Sequence, residues 1–281
     1  MRRIEINAVR QVVSELFRET AVKLPPFVEE DLEKARENET SPLGRRTLQV
    51  LRENARLAQE EKIPLCQDAG LPQVLIEAGE GVYFTGGSLL EAAAQGAREA
   101  YVEARLRLSG ADPLTRRNLA EKIPVSVEYV PVPGTRVRVS TLAKGGGCDN
   151  KSALFNLSPT APSSLVKEKI LEVFHRAGPD ACPPYYAGIC IGGSFESAPR
   201  HARRALWDLA FRTPAAEEEE EERLSLEYLE AVNASGAGPM ALGGRTTALG
   251  IRTRLVPTHI ASLPVAVNLS CHSLRAGRRE I

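Results

Sequence analysis

The chain has 281 residues, and its 36 lysines and arginines balance 36 aspartates and glutamates, which gives a formal net charge of +0. Because there is no net positive charge, the composition argues against a protein that binds nucleic acid or an anionic membrane through a general basic field. The N-terminal sequence MRRIEINAVRQVVSEL contains no continuous apolar segment typical of a signal peptide or a membrane span. We therefore expect a cytoplasmic protein that binds neither nucleic acid nor membrane.

Cysteine usage also excludes a class of protein. The chain has five cysteines, an odd number, and none of them forms a CxxC pair; they are Cys66, Cys148, Cys182, Cys190 and Cys271. This pattern argues against a disulfide framework and leaves free thiols, metal ligands and catalytic residues as the alternatives. Cys190 lies inside an apolar run and fits a small core residue.

Helices are predicted for most of the first hundred residues. Apolar residues recur at helical spacing from Ile6 to Phe17, and two further helices follow Pro25-Pro26, the first ending near residue 39 and the second covering about residues 43–61. A short apolar run at residues 73–76 predicts a strand. Residues 89–108 predict a long helix, with Ser88 as its N-cap.

The pattern then changes to alternating apolar and polar residues. Segments 126–132 and 136–142 flank Pro133-Gly134 and predict a β-hairpin with Val137 and Val139 buried. The elements predicted after this hairpin are helices at residues 163–177 (closed by Gly178) and 194–211 and strands at 185–193, 250–256 and 260–270. We expect a single α+β domain over residues 1–281, helix-rich, whose central sheet contains antiparallel hairpins covered by helices.

Residues 217–222 are six consecutive glutamates. Like charges at this density repel each other, so the run predicts a solvated loop or the frayed start of the next helix. Carboxylates alone on such a segment do not define a metal site.

Residues 144–152 read KGGGCDNKS and follow a predicted strand directly. Three glycines allow positive φ and could bring main-chain N-H groups into a concavity that favours anions. A tight structural turn is the alternative. The segment matches neither GxxxxGKS nor GxGxxG followed by a helix, which argues against a nucleotide-binding fold.

Five motifs in fixed order point to a family. The motifs are PLCQDAG (64–70), KGGGCDNKS (144–152), CPPYYAGICIGGSFE (182–196), THIA (258–261) and PVAVNLSCHSLR (264–275). Together they resemble the α-subunit, or N-terminal domain, of the class I fumarase and L-tartrate dehydratase family of iron-sulfur hydro-lyases. The resemblance covers nearly the whole chain. Cys148 departs from the family pattern, which usually has serine there, so we treat Cys148 as a neighbour of the site and not as a metal ligand.

The resemblance implies a 4Fe-4S cluster held by three thiolates, Cys66, Cys182 and Cys271. Four thiolates are the usual set, so three leave one iron open to substrate. An open iron is a Lewis acid that can activate a hydroxyl as a leaving group. The reaction that the family carries out is the reversible dehydration of a 2-hydroxy dicarboxylate: malate to fumarate, which we favour, or tartrate to oxaloacetate.

Site roles are also carried over from the family motifs. Asp68 is the candidate general acid and His259 would hydrogen-bond it, although a histidine in an apolar stretch is more often structural. Gln67, Arg107 and the N-H of Gly147 would bind substrate carboxylates, and Arg107 suits this role because its guanidinium donates two parallel hydrogen bonds. The residues expected to support the loop are Lys144, Asn150 and Lys151.

The chain ends ten residues after Cys271, where fused members of the family continue into a β-type domain. We therefore expect a separate β-subunit that carries the general base, an α2β2 assembly and a small dicarboxylate substrate. Two alternatives remain open. A non-catalytic iron-sulfur binding protein would hold a cluster without turnover, and a structural protein would keep all five cysteines as core thiols.

Overall fold

The computed structural model describes residues 1–119, 123–213 and 219–281. The helices in these ranges are α1 (Ile6–Val22), α2 (Pro26–Asn38), α3 (Pro42–Glu61), α4 (Leu89–Glu103), α5 (Gly146–Lys151), α6 (Ser163–Ala177), α7 (Ser197–Ala210) and α8 (Glu219–Asn233). The strands are β1 (Arg2–Glu5), β2 (Leu71–Gly79), β3 (Val82–Thr85), β4 (Ser126–Val132), β5 (Val137–Lys144), β6 (Ala153–Leu157), β7 (Tyr185–Gly192), β8 (Ala248–Val256), β9 (Leu263–Ser270) and β10 (Ala276–Glu280). Helices and mixed sheets with antiparallel pairs confirm the predicted α+β class.

The chain divides into two compact units, each built from separate stretches of sequence. Unit 1 comprises Met1–Pro25, Asn54–Gly146 and Leu274–Ile281, and unit 2 comprises Pro26–Glu53 and Gly147–Ser273. The prediction of one domain over residues 1–281 stays a prediction.

Unit 1 contains a four-stranded sheet in the order β10-β5-β2-β4 and the parallel pair β1-β3. The apolar face of α1 and the alanine-rich face of α4 pack together against one face of this sheet, where Val137 and Val139 are fully buried as predicted. The two helices approach closely because Gly96 has no side chain: a β-carbon there would lie 2.3 Å from the carbonyl oxygen of Arg10. Small residues on α4 therefore set the α1–α4 contact.

Unit 2 contains a second four-stranded sheet, in the order β6-β9-β7-β8, with α7 packed on its central strands and α8 on β8. The α7 contact depends on Gly188 of β7, where a β-carbon would lie 2.0 Å from the carbonyl oxygen of Ala202. The core on the other side is formed by α6, α8 and the sheet and includes Ile170, Ile189 and Val267.

One predicted strand pairing is wrong. Strands β4 and β5 form, but β2 lies between them, parallel to β4 and antiparallel to β5. The connection at residues 133–136 crosses the end of β2, where the N-H of Gly79 donates to the carbonyl of Arg136 at 2.8 Å. Alternation of apolar residues predicts strands but not their partners, because the intervening strand comes from an earlier segment of the chain.

Other boundaries also differ from the predictions. Helix α4 ends at Glu103 and not at residue 108, because Arg105 adopts a left-handed φ of 52° that ends the helical path. Ser88 is its N-cap as predicted, accepting from the N-H of Glu91. Of the glutamate run, Glu219 to Glu222 form the first turn of α8, whereas residues 217 and 218 lie outside the described residues.

Within the described ranges, none of the helices is both long and apolar enough to cross a bilayer.

Candidate functional site

A turn between α3 and β2, in unit 1, holds the carboxyl group of Asp68. Its Oδ1 accepts from the N-H of Gly70 at 2.9 Å, and its Oδ2 accepts from the N-H of Gly146 at 2.7 Å. The N-H of Asp68 itself points to the sulfur of Cys66 at 3.4 Å. Cys66 and Gln67 are exposed and Asp68 is half-buried, so the three consecutive residues present their side chains at the surface of unit 1.

The main chain of this turn is held from behind by two buried side chains. Arg275 Nη1 donates to the carbonyl of Asp68 at 2.8 Å, and the hydroxyl of Tyr101 lies 2.9 Å from the carbonyl of Ala69 and 3.0 Å from that of Gly70. Sequence reasoning missed both residues as part of the site's surroundings. The apolar spacing of α4 indicates that Tyr101 is buried, and Arg275 is the last residue of the motif PVAVNLSCHSLR, but nothing in the sequence predicts its contact with Asp68, 207 positions away.

The segment KGGGCDNKS is not the predicted loop of left-handed glycines. Residues 146–151 form helix α5, and none of the three glycines has positive φ. Space requires a glycine at one of the three positions, because a β-carbon on Gly147 would lie 2.6 Å from the carbonyl oxygen of Asp180. A β-carbon on Gly146 would lie 3.5 Å from Asp68 Oδ2, which is an ordinary van der Waals distance. Gly147 therefore allows α5 to pack closely on the Asp180 carbonyl, and the backbone stays helical.

Two of the predicted ligand cysteines lie on adjacent loops of unit 2. Cys182 follows a 3₁₀ helix (Gly178–Ala181) and has a left-handed φ of 54°. Cys271 follows β9, and its Sγ is 3.0 Å from the hydroxyl of Ser273. The next residue after it, His272, places Nδ1 3.2 Å from the carbonyl of Cys182. A non-glycine residue in the left-handed region is strained, and such strain concentrates at functional sites.

The other two cysteines of unit 2 are buried. Cys148 is 1% exposed and its thiol donates to the carbonyl of Ala181 at 3.3 Å. Burial raises the pKa of the Tyr185 hydroxyl, and the negative charges that Cys148, Cys182, Asp180 and Cys271 can carry raise it further. Cys190 is fully buried, and burial raises the pKa of its thiol to about 12, as expected of a core residue.

His259 lies in an exposed turn of unit 2. Its Nδ1 accepts from the N-H of Ala261 at 3.1 Å, which places the proton of the neutral ring on Nε2. Thr258 ties this turn to the end of β7, since its hydroxyl donates to the carbonyl of Gly193 at 2.8 Å. Asp68 belongs to unit 1, so the hydrogen bond expected between Asp68 and His259 stays a prediction.

The remaining candidates are distributed between the two units. Arg107 is exposed and lies four residues beyond the end of α4, not on the helix. Lys144 is fully buried in unit 1. In unit 2, Asn150 is exposed and Lys151 forms an ion pair with Asp180 at 2.9 Å.

All five cysteines are in described parts of the chain and are present as thiols. Within residues 1–119, 123–213 and 219–281, no three His, Cys, Asp or Glu side chains come close enough to hold one metal ion. A cluster makes a different demand, because each thiolate binds a different iron. The three cysteines have the chemistry that an iron-sulfur cluster needs. Cys66 is exposed and its sulfur accepts an N-H, which is common for cluster thiolates. Cys182 and Cys271 lie on adjacent loops of unit 2.

Comparison with known proteins gives a family and two groups of relatives. The model of the family "Fumarate hydratase (Fumerase)" matches residues 10–280. A protein of Methanocaldococcus jannaschii, provisionally named L(+)-tartrate dehydratase subunit alpha, is 34% identical, with 97% of each chain covered. The anaerobic class I fumarate hydratase of Escherichia coli K12 is 31% identical over 83% of this chain. A protein of Geobacillus stearothermophilus, provisionally named fumarate hydratase class I, is 30% identical over 93% of this chain.

The two groups differ in how much of their length is matched. The chain spans 97% of the archaeal alpha subunit but only 52% and 44% of the two fumarate hydratases. Both groups are hydro-lyases, which confirms the predicted class of enzyme. The chain belongs to the fumarate hydratase family.

Proposed function

We propose that this chain is the α-subunit of an iron-sulfur hydro-lyase that reversibly dehydrates a 2-hydroxy dicarboxylate, with malate and fumarate as the first candidate pair. The observation that carries the proposal is the turn at residues 66–68. It presents the exposed thiol of Cys66, the exposed amide of Gln67 and the Asp68 carboxyl, which is fixed by two main-chain N-H groups. The chain that contains this turn belongs to the fumarate hydratase family.

Cys66, Cys182 and Cys271 would hold a 4Fe-4S cluster. When bound, such a cluster supplies a Lewis-acidic iron that weakens the bond between carbon and the departing hydroxyl. Two features of these thiols support the proposal. The sulfur of Cys66 accepts an N-H, and Cys182 has a left-handed backbone conformation and lies beside the loop that carries Cys271. Cys148 is buried and donates to a carbonyl, which suits a residue that packs near the site.

Asp68 would handle the proton that leaves with hydroxide as water. Each of its oxygens accepts one main-chain N-H and retains a second lone pair, so the carboxyl is held in place and can still take up or release a proton. His259 would orient it. The imidazole suits this role because its Nδ1 accepts from Ala261, which leaves Nε2-H as the group available to donate.

Gln67, Arg107 and the N-H of Gly147 would bind the substrate carboxylates. Gln67 and Arg107 are exposed, which suits contact with a small dianion. A guanidinium binds a carboxylate through two parallel charge-assisted hydrogen bonds. Removing one such contact would weaken substrate and transition state together and would therefore raise KM more than it lowers kcat.

The partner would be a separate β-subunit that brings the base for the carbon-bound proton, in an α2β2 assembly. Support comes from coverage, since the chain matches nearly the whole of relatives named as alpha subunits and about half of the fumarate hydratases. The proposed location of the complex is the cytoplasm, where small dicarboxylates are dissolved.

Tartrate is the second candidate substrate. The observation that favours it is the 34% identity over 97% of both chains with the archaeal protein, together with 26% identity to the L(+)-tartrate dehydratase alpha subunit of Escherichia coli UTI89. Malate and tartrate differ by one hydroxyl, so the same residues of this chain would serve both.

The test is an anaerobic assay of the chain reconstituted with iron and sulfide and mixed with its β-subunit. Hydration of fumarate and dehydration of malate, L(+)-tartrate and D-tartrate are followed in parallel. We expect one of malate or L(+)-tartrate to be turned over at least about a hundredfold faster by the complex than by the chain alone. Turnover of none of these substrates by an iron-loaded complex would refute the proposal.

A further inference from the structure

Three consecutive carbonyl groups of the candidate acid's turn are held by buried side chains. The carbonyl of Asp68 accepts from Arg275, and those of Ala69 and Gly70 share the single hydroxyl proton of Tyr101. Both side chains lie in unit 1 and both are buried, Tyr101 fully and Arg275 to 4% exposure. Ala69 and Gly70 are buried, so their carbonyl groups depend on a protein donor, and Tyr101 supplies it.

Arg275 is a buried cation whose hydrogen bond to the turn goes to the carbonyl of Asp68. Its Nε is also buried and has no hydrogen-bond partner among the described residues. A buried guanidinium with an unsatisfied N-H is costly, and an apolar residue of similar size would avoid that cost. The contact that distinguishes Arg275 from an apolar residue is therefore its bond to the main chain of Asp68.

On the other side of the same turn, the side chain of Asp68 is fixed by the N-H groups of Gly70 and Gly146. Gly70 has a left-handed φ of 82° and packs against the carbonyls of Ala143 and Lys144, which limits how the turn can shift. The orientation of the carboxyl thus depends on the main chain of residues 68–70 keeping its position. A displacement of about 1 Å at a catalytic group can cost about a hundredfold in rate.

We propose that Arg275 and Tyr101 are positioning residues that hold the main chain of residues 68–70 and so orient the carboxyl of Asp68. The catalytic part of this inference rests on the proposed function, in which Asp68 handles the departing proton. Neither residue touches substrate in this scheme. Their loss lowers kcat more than it raises KM, because Arg107, which binds a substrate carboxylate in this scheme, lies outside the segment that they hold.

Amide hydrogen exchange tests the positioning role without reference to activity or to a cluster. The test variants are Arg275→Gln and Tyr101→Phe. The matched controls are Arg279→Gln, because Arg279 pairs with Glu15 and Glu19, and Tyr228→Phe, because Tyr228 is a buried tyrosine of unit 2. We expect exchange at Gly70 and Gly146 to accelerate about tenfold or more in the two test variants only. Unchanged exchange there, or equal acceleration in Arg279→Gln, would overturn the inference.

Kinetics of the assembled complex test the catalytic consequence. Arg275→Gln should lower kcat about tenfold to a hundredfold and raise KM by a smaller factor, and Arg275→Lys should recover part of the loss in kcat. Tyr101→Phe is the milder second variant if Arg275→Gln does not fold. Accelerated exchange with an unchanged kcat would refute the catalytic part. An inactive wild-type complex would refute the proposed function, whereas the exchange data decide on the positioning role by themselves.

Discussion

At the scale of single residues, main-chain donors and acceptors determine the geometry around Asp68. Two N-H groups fix its oxygens, and its own N-H and carbonyl are engaged with Cys66 and Arg275. Because both oxygens of the Asp68 side chain accept a main-chain N-H, the carboxyl group has a fixed orientation, which favours proton transfer to or from it.

The first prediction concerns Asp68→Asn. An amide cannot deliver the proton, so kcat should fall by about a hundredfold to ten-thousandfold while the protein stays folded. Asp112→Asn is a matched control, because the Asp112 carboxyl also accepts two main-chain N-H groups, from Leu114 and Thr115, but lies in another turn. The control should keep kcat within about twofold. Equal losses in both variants would count against a catalytic role for Asp68.

Glu39 of unit 2 is a buried residue whose negative charge stabilises the fold. It is completely buried, and its carboxylate accepts from the N-H groups of Thr40, Ser41, Arg245 and Thr246. Burial raises the pKa of Glu39, but these N-H groups outweigh burial and leave the pKa below its ordinary value of 4.5. The carboxylate is therefore the form that the folded state of unit 2 stabilises.

The second prediction follows from the direction of that pKa shift. Glu39→Gln should lower the free energy of unfolding near pH 7 by about 3 kcal/mol, because the amide places donors against donors. The stability contributed by Glu39 is present above the unfolded pKa and is lost as pH falls through the folded pKa. The difference in the free energy of unfolding between wild type and Glu39→Gln should thus become smaller below about pH 4.5. A constant gap from pH 7 to pH 3, or a similar loss in the exposed control Glu37→Gln, would contradict the prediction.

At the scale of elements, patterns in the sequence predict which segments form strands and helices, but not how strands pair. The helix from Ile6, the helix Ser163–Ala177 with Gly178 as its cap, and the strand at Tyr185–Gly192 were all predictable from apolar spacing and capping residues. The insertion of β2 between β4 and β5 was not predictable. It depends on Gly79 allowing a distant turn to pass over the strand end.

The third prediction tests that arrangement through Gly79→Ala. A β-carbon there would lie 2.2 Å from the carbonyl oxygen of Gly134, and neither group belongs to a flexible side chain. We expect a loss of about 2–3 kcal/mol in the free energy of unfolding, measured by denaturant titration. Gly250→Ala is the control, since its β-carbon would meet only the Tyr186 and Leu209 side chains at 3.3 Å or more. A loss in Gly79→Ala no larger than in Gly250→Ala would contradict this account of the sheet.

For the whole molecule, the order of motifs in the sequence identifies the family. The residues that surround the candidate site, in contrast, can be identified only from the three-dimensional structure. The proposed cluster ligands lie in the motifs PLCQDAG, CPPYYAGICIGGSFE and NLSCHSLR. The family to which these motifs point is the one whose model matches residues 10–280. Sequence patterns also predicted the class of fold. They could not identify Tyr101 and Arg275 as neighbours of Asp68, because those contacts join residues 31 to 207 positions apart. They also assigned left-handed geometry to three glycines that instead have negative φ, one of which, Gly147, provides space for the carbonyl of Asp180.

Whether Cys66, Cys182 and Cys271 hold a cluster is decided by the iron and sulfide content of the anaerobically reconstituted chain, together with its visible absorption. Wild type is compared with single alanine substitutions at Cys66, Cys182, Cys271, Cys148 and Cys190. We expect about four iron and four sulfide per chain in wild type, Cys148→Ala and Cys190→Ala, and loss of the cluster in the other three variants. A colourless wild type, or a cluster that depends on Cys148 as strongly as on Cys66, would contradict this expectation.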